Sequence, residues 1–150
     1  MPTEATRPDA VTQAIARSDL AALRAALEGS PLAERLGISF TELSPGRARA
    51  VLPPGDLLPN FLGYAHTGAL FALAEQTLAA AANSLGYVGL PLSCDFHFLK
   101  GADPTATVEA EAHVVDTQGR IARVLSELTQ GGQPVARLTE MVFLRSGTRP

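Results

Sequence analysis

The sequence predicts an α+β domain: a curved antiparallel sheet of five to six strands wrapped around one long central helix, with short helices at the N-terminus. Three observations predict it. From Thr67 to Leu85 the chain is apolar on nearly every side of a helix, and such a helix must be enclosed. Two strand-like runs precede this segment and four follow it. The breaks among the last four are short and turn-forming, which favours antiparallel neighbours in a meander. A length of 150 residues suits one core and leaves little room for a second.

Each element follows from a local pattern. Residues 1 to 9 read as frayed. From about Ala10 to Glu28, Ile15, Leu20, Leu23 and Leu27 fall at roughly helical spacing, and Gly29 suits the stop. Pro31 to Leu36 supply a further short turn. The period then changes to two. Gly37 to Leu43 presents Ile38, Phe40 and Leu43, Ser44-Pro45-Gly46 is a turn signal, and Arg47 to Leu52 alternates again, which makes a hairpin. Pro53, Pro54, Gly55 and Pro59 forbid regular structure up to Asn60. Gly86 stops the long helix. The later strands are predicted over Leu92 to Lys100, Thr105 to Val115, Arg120 to Thr129 and Pro134 to Leu144. Residues 1–36 thus form an N-terminal helical extension and 37–147 the main domain, with no internal repeat, low-complexity tract or linker.

Composition narrows the function. Apolar residues make up 46% and charged residues 18%, which excludes disorder over most of the length. The net charge is -3 and no basic run occurs, which argues against nucleic acid as the partner. Cys94 is the single cysteine, so no internal disulfide forms and a reducing compartment fits. The start MPTEATRPDA has an early acidic residue and no apolar run behind it, so it does not read as a signal peptide, and a cytoplasmic location is expected. Gly68 to Gly86 is the most apolar stretch, yet it carries Glu75, Gln76 and Asn83 and reads as a buried helix, not a membrane span.

Two features carry chemistry. Glu75 and Gln76 are the strongly polar residues in the middle of the apolar helix. An ionised carboxylate buried without partners is costly and responds by shifting its pKa or finding donors. Either these two residues mark one exposed strip of the helix, or Glu75 has a functional role. The second feature is Asn60-x-x-Gly63-x-x-His66 running into the helix start. Its first-turn amides, at Thr67 and Gly68, are placed to bind an anionic or carbonyl oxygen; a lone histidine such as His66 is more often a helix-capping or packed residue than a catalytic one. His66 and Glu75 are nine positions apart, about 13 Å along a helix and on opposite sides. They cannot pair within one chain. If both serve one site, Glu75 meets the His66 end of a second subunit, and the protein is a homodimer.

These residues, Asn60-Phe61-Leu62-Gly63-Tyr64-Ala65-His66-Thr67-Gly68 through Glu75 and the alanine-rich helix behind it, resemble the PaaI-like, or 4-hydroxybenzoyl-CoA-type, hotdog thioesterases. The strand ending Phe98-Leu99-Lys100 is similar to that family's Phe-Leu-basic strand end. The resemblance spans about Gly37 to Arg145 in element order. It implies a hotdog fold, hydrolysis of acyl-CoA thioesters between two subunits of a homodimer or homotetramer, and no metal or cofactor beyond the coenzyme A of the substrate. It implies that an amide at Thr67 or Gly68 polarises the thioester carbonyl, that Asn60 orients the thioester or water, and that His66 positions the loop. Glu75 then acts as general base or as a nucleophile forming a mixed anhydride. A carboxyl enclosed in apolar surroundings is a stronger base near neutral pH, and preorganised amides stabilise the oxyanion.

The chain departs from the family at His66-Thr67-Gly68, where many members have His-Gly-Gly. It has Glu75 where many PaaI-like members have aspartate, and Ala79 where the 4-hydroxybenzoyl type has threonine, with Thr77 facing elsewhere. Expected substrate contacts are Gly63, Phe61, His97 and Lys100. Along Ser93 to Phe98, Asp95 and His97 share one face and Phe96 and Phe98 the other; His97 either lines the acyl pocket or faces solvent or an interface. Lys100 with nearby arginines suits the phosphates of coenzyme A, or is an ordinary surface charge. Leu57, Leu58, Phe61, Leu62 and Tyr64 either wall the acyl site or close the core. Cys94, in a strand, reads as a buried structural thiol. Three alternatives to the thioesterase stand open: a hotdog acyl-CoA hydratase or dehydratase, although its His-Phe-Pro-Gly motif is absent, a non-catalytic acyl-CoA-binding or regulatory module, and a hotdog domain that has lost activity.

Overall fold

An aspartate divides the first predicted helix. In the computed structural model, which describes residues 8–146, α1 (Pro8–Ala16) ends before Ser18, whose φ is 55°. Asp19 then accepts a hydrogen bond from the Ala22 amide at 3.0 Å and starts α2 (Leu20–Glu28). The helical spacing ran through this point unbroken, but an N-cap satisfies amides that a continuous helix would leave to other partners. The frayed segment lies, as far as residue 7, outside the described residues, as does the boundary at 147. α3 (Pro31–Leu36) follows and ends at Gly37.

The sheet has six antiparallel strands: β1 (Ser39–Ser44), β2 (Arg47–Leu52), β3 (Tyr87–Phe98), β4 (Val108–Gln118), β5 (Ile121–Gln130) and β6 (Gln133–Ser146). Their order is β1-β2-β4-β5-β6-β3. The predicted meander therefore holds only for β4, β5 and β6. β3 lies on the far side of β6, paired from Tyr87↔Ser146 to Phe98↔Ala136. The segment read as a tight turn after it is a crossover. It is held by Leu99 and Lys100 amides, both donating to the Val135 carbonyl, and by the Ala65 amide donating to Ala102. A short, Gly/Pro-rich connection did not distinguish a hairpin from this anchored crossing.

The sheet curls around α4 (Thr67–Asn83), whose Leu70, Leu73, Ala74, Leu78 and Ala80 are buried. Alanines at 48, 50, 110, 112 and 122 are buried on the facing strands. Their short side chains bring sheet and helix close together. This is the hotdog arrangement. Gln76 is not on an exposed strip: its Nε2 donates to the Leu27 carbonyl at 2.6 Å and to Ser30 Oγ at 3.2 Å, docking the N-terminal helices on α4. Among the described residues no helix is long and apolar enough to cross a membrane.

The two edges of the sheet differ. At β1, Glu28 accepts from the Phe40 amide at 2.7 Å and Arg24 donates to the Phe40 carbonyl, so α2 covers that edge. At β3 no strand among the described residues pairs with the outer edge, although α1 packs near its start, and Leu90, Leu92 and Phe98 of the strand and Leu99 just beyond it are exposed. An uncovered apolar edge strand is a template for pairing with another chain.

Candidate active site

The loop before α4 is built around Asn60. Its Oδ1 accepts from the Leu62 amide at 2.8 Å and the Tyr64 amide at 3.1 Å, while its backbone N–H donates to the Tyr64 carbonyl at 2.7 Å. Two amide donors fix the side-chain oxygen, and among the described residues Nδ2 has no acceptor. Gly63 supplies the φ of 82° that the turn needs. The loop pushes Phe61 outward, 94% exposed, with Leu57, Leu62 and Tyr64 also exposed; Leu58 alone of that apolar set is in the core.

His66 caps α4 with an extended backbone (φ -60°, ψ 131°), and its Nδ1 accepts from the Gly68 amide at 2.9 Å. A neutral ring bonded in this way carries its proton on Nε2. A Cβ at Gly68 would lie 3.1 Å from His66 Nδ1, so the cap depends on a glycine there. The Ala69 and Leu70 amides both donate to the His66 carbonyl. Among the described residues the Thr67 amide therefore has no partner, and of the two candidates at the helix start it is the one left open. Thr67, Asn60, Tyr64, Leu70, Phe98 and Lys100 line a groove of about 370 Å³. The structure thus brings Asn60, Thr67 and Lys100 together.

Glu75 lies elsewhere. Eight residues beyond Thr67, it is about 12 Å further along the axis. Phe71, one turn before it, packs edge-on against Phe96 of β3 with ring centroids 5.4 Å apart. Near the helix C-terminus, Ala82 and Asn83 lie against Gly89 of β3. Glu75 sits between these contacts, on the face turned toward β3 and β6. It is half-buried, and no hydrogen-bond or ion-pair partner exists for it among the described residues. Burial raises its pKa above the ordinary 4.5.

A second carboxylate, unforeseen from the sequence, shares this region. Glu140 of β6 is 3% exposed, and its pKa is pushed up to about 7 by burial and by the charge of Glu75. Leu138, Glu140, Val142 and Leu144 alternate on the face of β6 that meets the helix. A glutamate in an apolar period-two face is the same anomaly as Glu75 on its helix, and that signal was available. Cys94, expected to be buried, is instead exposed: it is in register with Glu140 but lies on β3, the outermost strand, which no further strand covers. His97 is on the opposite face of β3 from Phe96, with Nε2 2.9 Å from Asp95 Oδ2, and so points away from Glu75 of its own chain. Among the described residues no three His, Cys, Asp or Glu side chains are grouped to hold a metal.

The thioesterase superfamily matches residues 62–137, from the loop through α4 into β6. The TT0310 protein from Thermus thermophilus is 34% identical, with a TM-score of 0.73 over 77% of this chain and 97% of that one. A point mutant of the phenylacetic acid degradation protein PaaI from the same organism is 33% identical, with a TM-score of 0.73 over 77% and 99%. The smu.793 protein from Streptococcus mutans, solved bound to acetyl CoA, shares the fold at 21% identity, with a TM-score of 0.70 over 75% and 91%. No match was found among curated proteins. The chain belongs to the thioesterase superfamily, and it is a thioester hydrolase of hotdog fold.

Proposed function

We propose that this protein hydrolyses a small-molecule acyl-CoA, with a short, medium-chain or aromatic acyl group, at sites shared between two subunits of a cytoplasmic homodimer or a tetramer of such dimers. The observation that carries the reading is Glu75: a half-buried carboxylate on an apolar helix, with no donor or cation beside it among the described residues. Nothing in its surroundings gives it a structural task. The groove at Asn60, Thr67 and Lys100 supplies the complementary half of a thioesterase site, and the open edge of β3 supports pairing that would bring a partner's groove to it. The acetyl CoA bound by the S. mutans neighbour supports a coenzyme A ester as the ligand class.

The chemistry divides among the residues as follows. The Thr67 amide and Asn60 Nδ2 donate to the thioester oxygen, where negative charge develops. Glu75 of the other subunit takes a proton from water as the water oxygen attacks the carbonyl carbon. The C–S bond then breaks, and the thiolate of coenzyme A leaves with that proton. Direct attack by Glu75 on the same carbon, giving a mixed anhydride that water later hydrolyses, uses the same donors. Phe61, Tyr64 and Leu62 offer apolar walls, Gly63 shapes the loop, and Lys100 offers a cation to the phosphates. Release of free thiol from a panel of short-chain, medium-chain and aromatic acyl-CoAs tests the reading. Turnover names the substrate class; binding without release points to a non-catalytic module, and addition of water to an enoyl-CoA to a hydratase.

Thr67→Pro isolates the oxyanion donor. Proline is well tolerated at the first position of a helix, and the extended backbone of His66 is the conformation that a following proline requires. The substitution removes the N–H, replaces the threonine side chain in the groove with a ring and leaves the helix start intact. We expect unchanged thermal stability and a kcat lower by about 10²-fold, measured by thiol release beside a melting curve.

A further inference from the structure

The apolar layer between the sheet and α4 contains a carboxylate that the mechanism above does not use. On the helix-facing side of the sheet Glu140 is 3% exposed, and no hydrogen bond or ion pair reaches it from any described residue. Its neighbours are on the page. Beside it on the strands lie Val124 of β5 and Cys94 of β3, both in register with it. Leu138 and Val142 flank it on β6, and Ser126, whose buried hydroxyl has no partner, stands diagonally across on β5. From α4 the charge of Glu75 acts on it. Glu75 and Cys94 are thus the titratable groups on this side of the layer, and among the described residues no lysine, arginine or histidine joins them. Of the basic residues of these strands, Arg123, Arg137 and His97 pair with Asp116, Glu127 and Asp95, and Arg145 is exposed near the end of β6.

The geometry brackets the two carboxylates. Phe71 of α4 meets Phe96, whose register partner is Leu138. One helical turn further is Glu75, and two strand residues further is Glu140; both steps cover roughly 6 Å. Beyond them Ala82 and Val142 come together at Gly89. Two carboxylates side by side in an apolar layer with no cation between them do not both ionise readily.

We propose that Glu140 is a positioning residue of the catalytic site, holding the one proton that it and Glu75 share, so that the active pair carries a single negative charge seated on Glu75. The proposal rests on the thioesterase reading of Glu75. The proton on Glu140 has two effects. It keeps Glu75 ionised and basic at neutral pH, and it keeps a second negative charge away from the carbon where the oxyanion forms. When both groups are protonated there is no base; when both are ionised, the added charge opposes the oxyanion and the leaving thiolate. Both the raised pKa of Glu140 and its coupling to Glu75 agree with this order of ionisation.

Two measurements on the full-length protein test it. The first needs no substrate: ¹³C NMR of protein labelled at glutamate side-chain carboxyls, titrated from pH 4 to 9. A carboxyl titrating near pH 7 should appear in the wild type, vanish in Glu140→Gln and move to lower pH in Glu75→Gln. Absence of such a carboxyl, or its indifference to Glu75→Gln, overturns the proposal. The second is kcat/KM against pH with the best acyl-CoA of the panel. The wild type should lose activity above neutrality by about tenfold per pH unit, and Glu140→Gln should remove that alkaline limb. A uniform loss at all pH values with the limb retained means a merely structural Glu140, and overturns the proposal while the thioesterase stands. An inactive wild type would sink the thioesterase reading, and the NMR titration would still decide the shared proton.

Discussion

Glu75→Gln is expected to leave a folded protein whose kcat is lower by about 10³-fold. The amide is isosteric and keeps the packing beside Phe71 and Ala79, but it cannot take a proton from water or attack a carbonyl. The same burial that makes the carboxylate useful makes it costly. Its pKa is raised in the folded protein, as is that of Glu140. For a carboxyl so shifted, the favourable contribution to stability is present below the unfolded pKa and lost as pH rises through the folded one. For Glu140 that window runs from 4.5 to about 7. Glu75→Gln removes one of two repelling charges, so its melting temperature at pH 8 should equal or exceed that of the wild type. Loss of activity with gain of stability is the signature of a functional group in an unfavourable place. In the wild type, a base with a raised pKa must also lose activity at higher pH than an exposed glutamate would. The acid limb of kcat/KM should therefore lie above 4.5. Near-normal turnover by Glu75→Gln would remove Glu75 from the mechanism.

Leu92→Glu is expected to convert the protein to a folded monomer with no detectable turnover. Leu92 is 59% exposed on the outer strand β3, at the irregularity in its pairing with β6. Contacts there stabilise the chain only if a second chain covers them. A carboxylate in the middle of that surface would be buried unpaired on association, which costs several kcal/mol, while in the monomer it is solvated and harmless. Loss of activity follows from the division of the site: Glu75 and the Thr67 groove are too far apart in one chain to meet. Size-exclusion chromatography with light scattering reads the mass, and thiol release reads the turnover. An active monomer would contradict the shared site.

What was legible in the sequence was whatever periodicity and turn chemistry determine locally. Apolar residues all around α4 required enclosure, and the period-two runs supplied the enclosing sheet. The split at Ser18 was hidden because Asp19 lies at a position where helical spacing continues unbroken on both sides. The place of β3 beside β6 was hidden for a different reason: strand order depends on long-range pairing, and a crossover pinned by the Val135 carbonyl has the composition of a turn. In the site, Glu75 stood out because helix periodicity exposed it as a misplaced charge. Glu140 carried the same signal at period two and passed unnoticed in a strand that also bears Arg137. The choice between the Thr67 and Gly68 amides was beyond the sequence, since it turns on which way the His66 ring caps the helix.

Subunit mixing tests the proposed shared acyl-CoA thioesterase site most directly. Glu75→Gln and Thr67→Pro proteins, each nearly inactive alone, are unfolded together in equal amounts, refolded and assayed for thiol release. In a mixed dimer one site receives both defects and the other receives an intact Glu75 and an intact Thr67 amide. Since half of the dimers are mixed, the account predicts recovery to about a quarter of wild-type activity. Activity no greater than the sum of the two variants would contradict it.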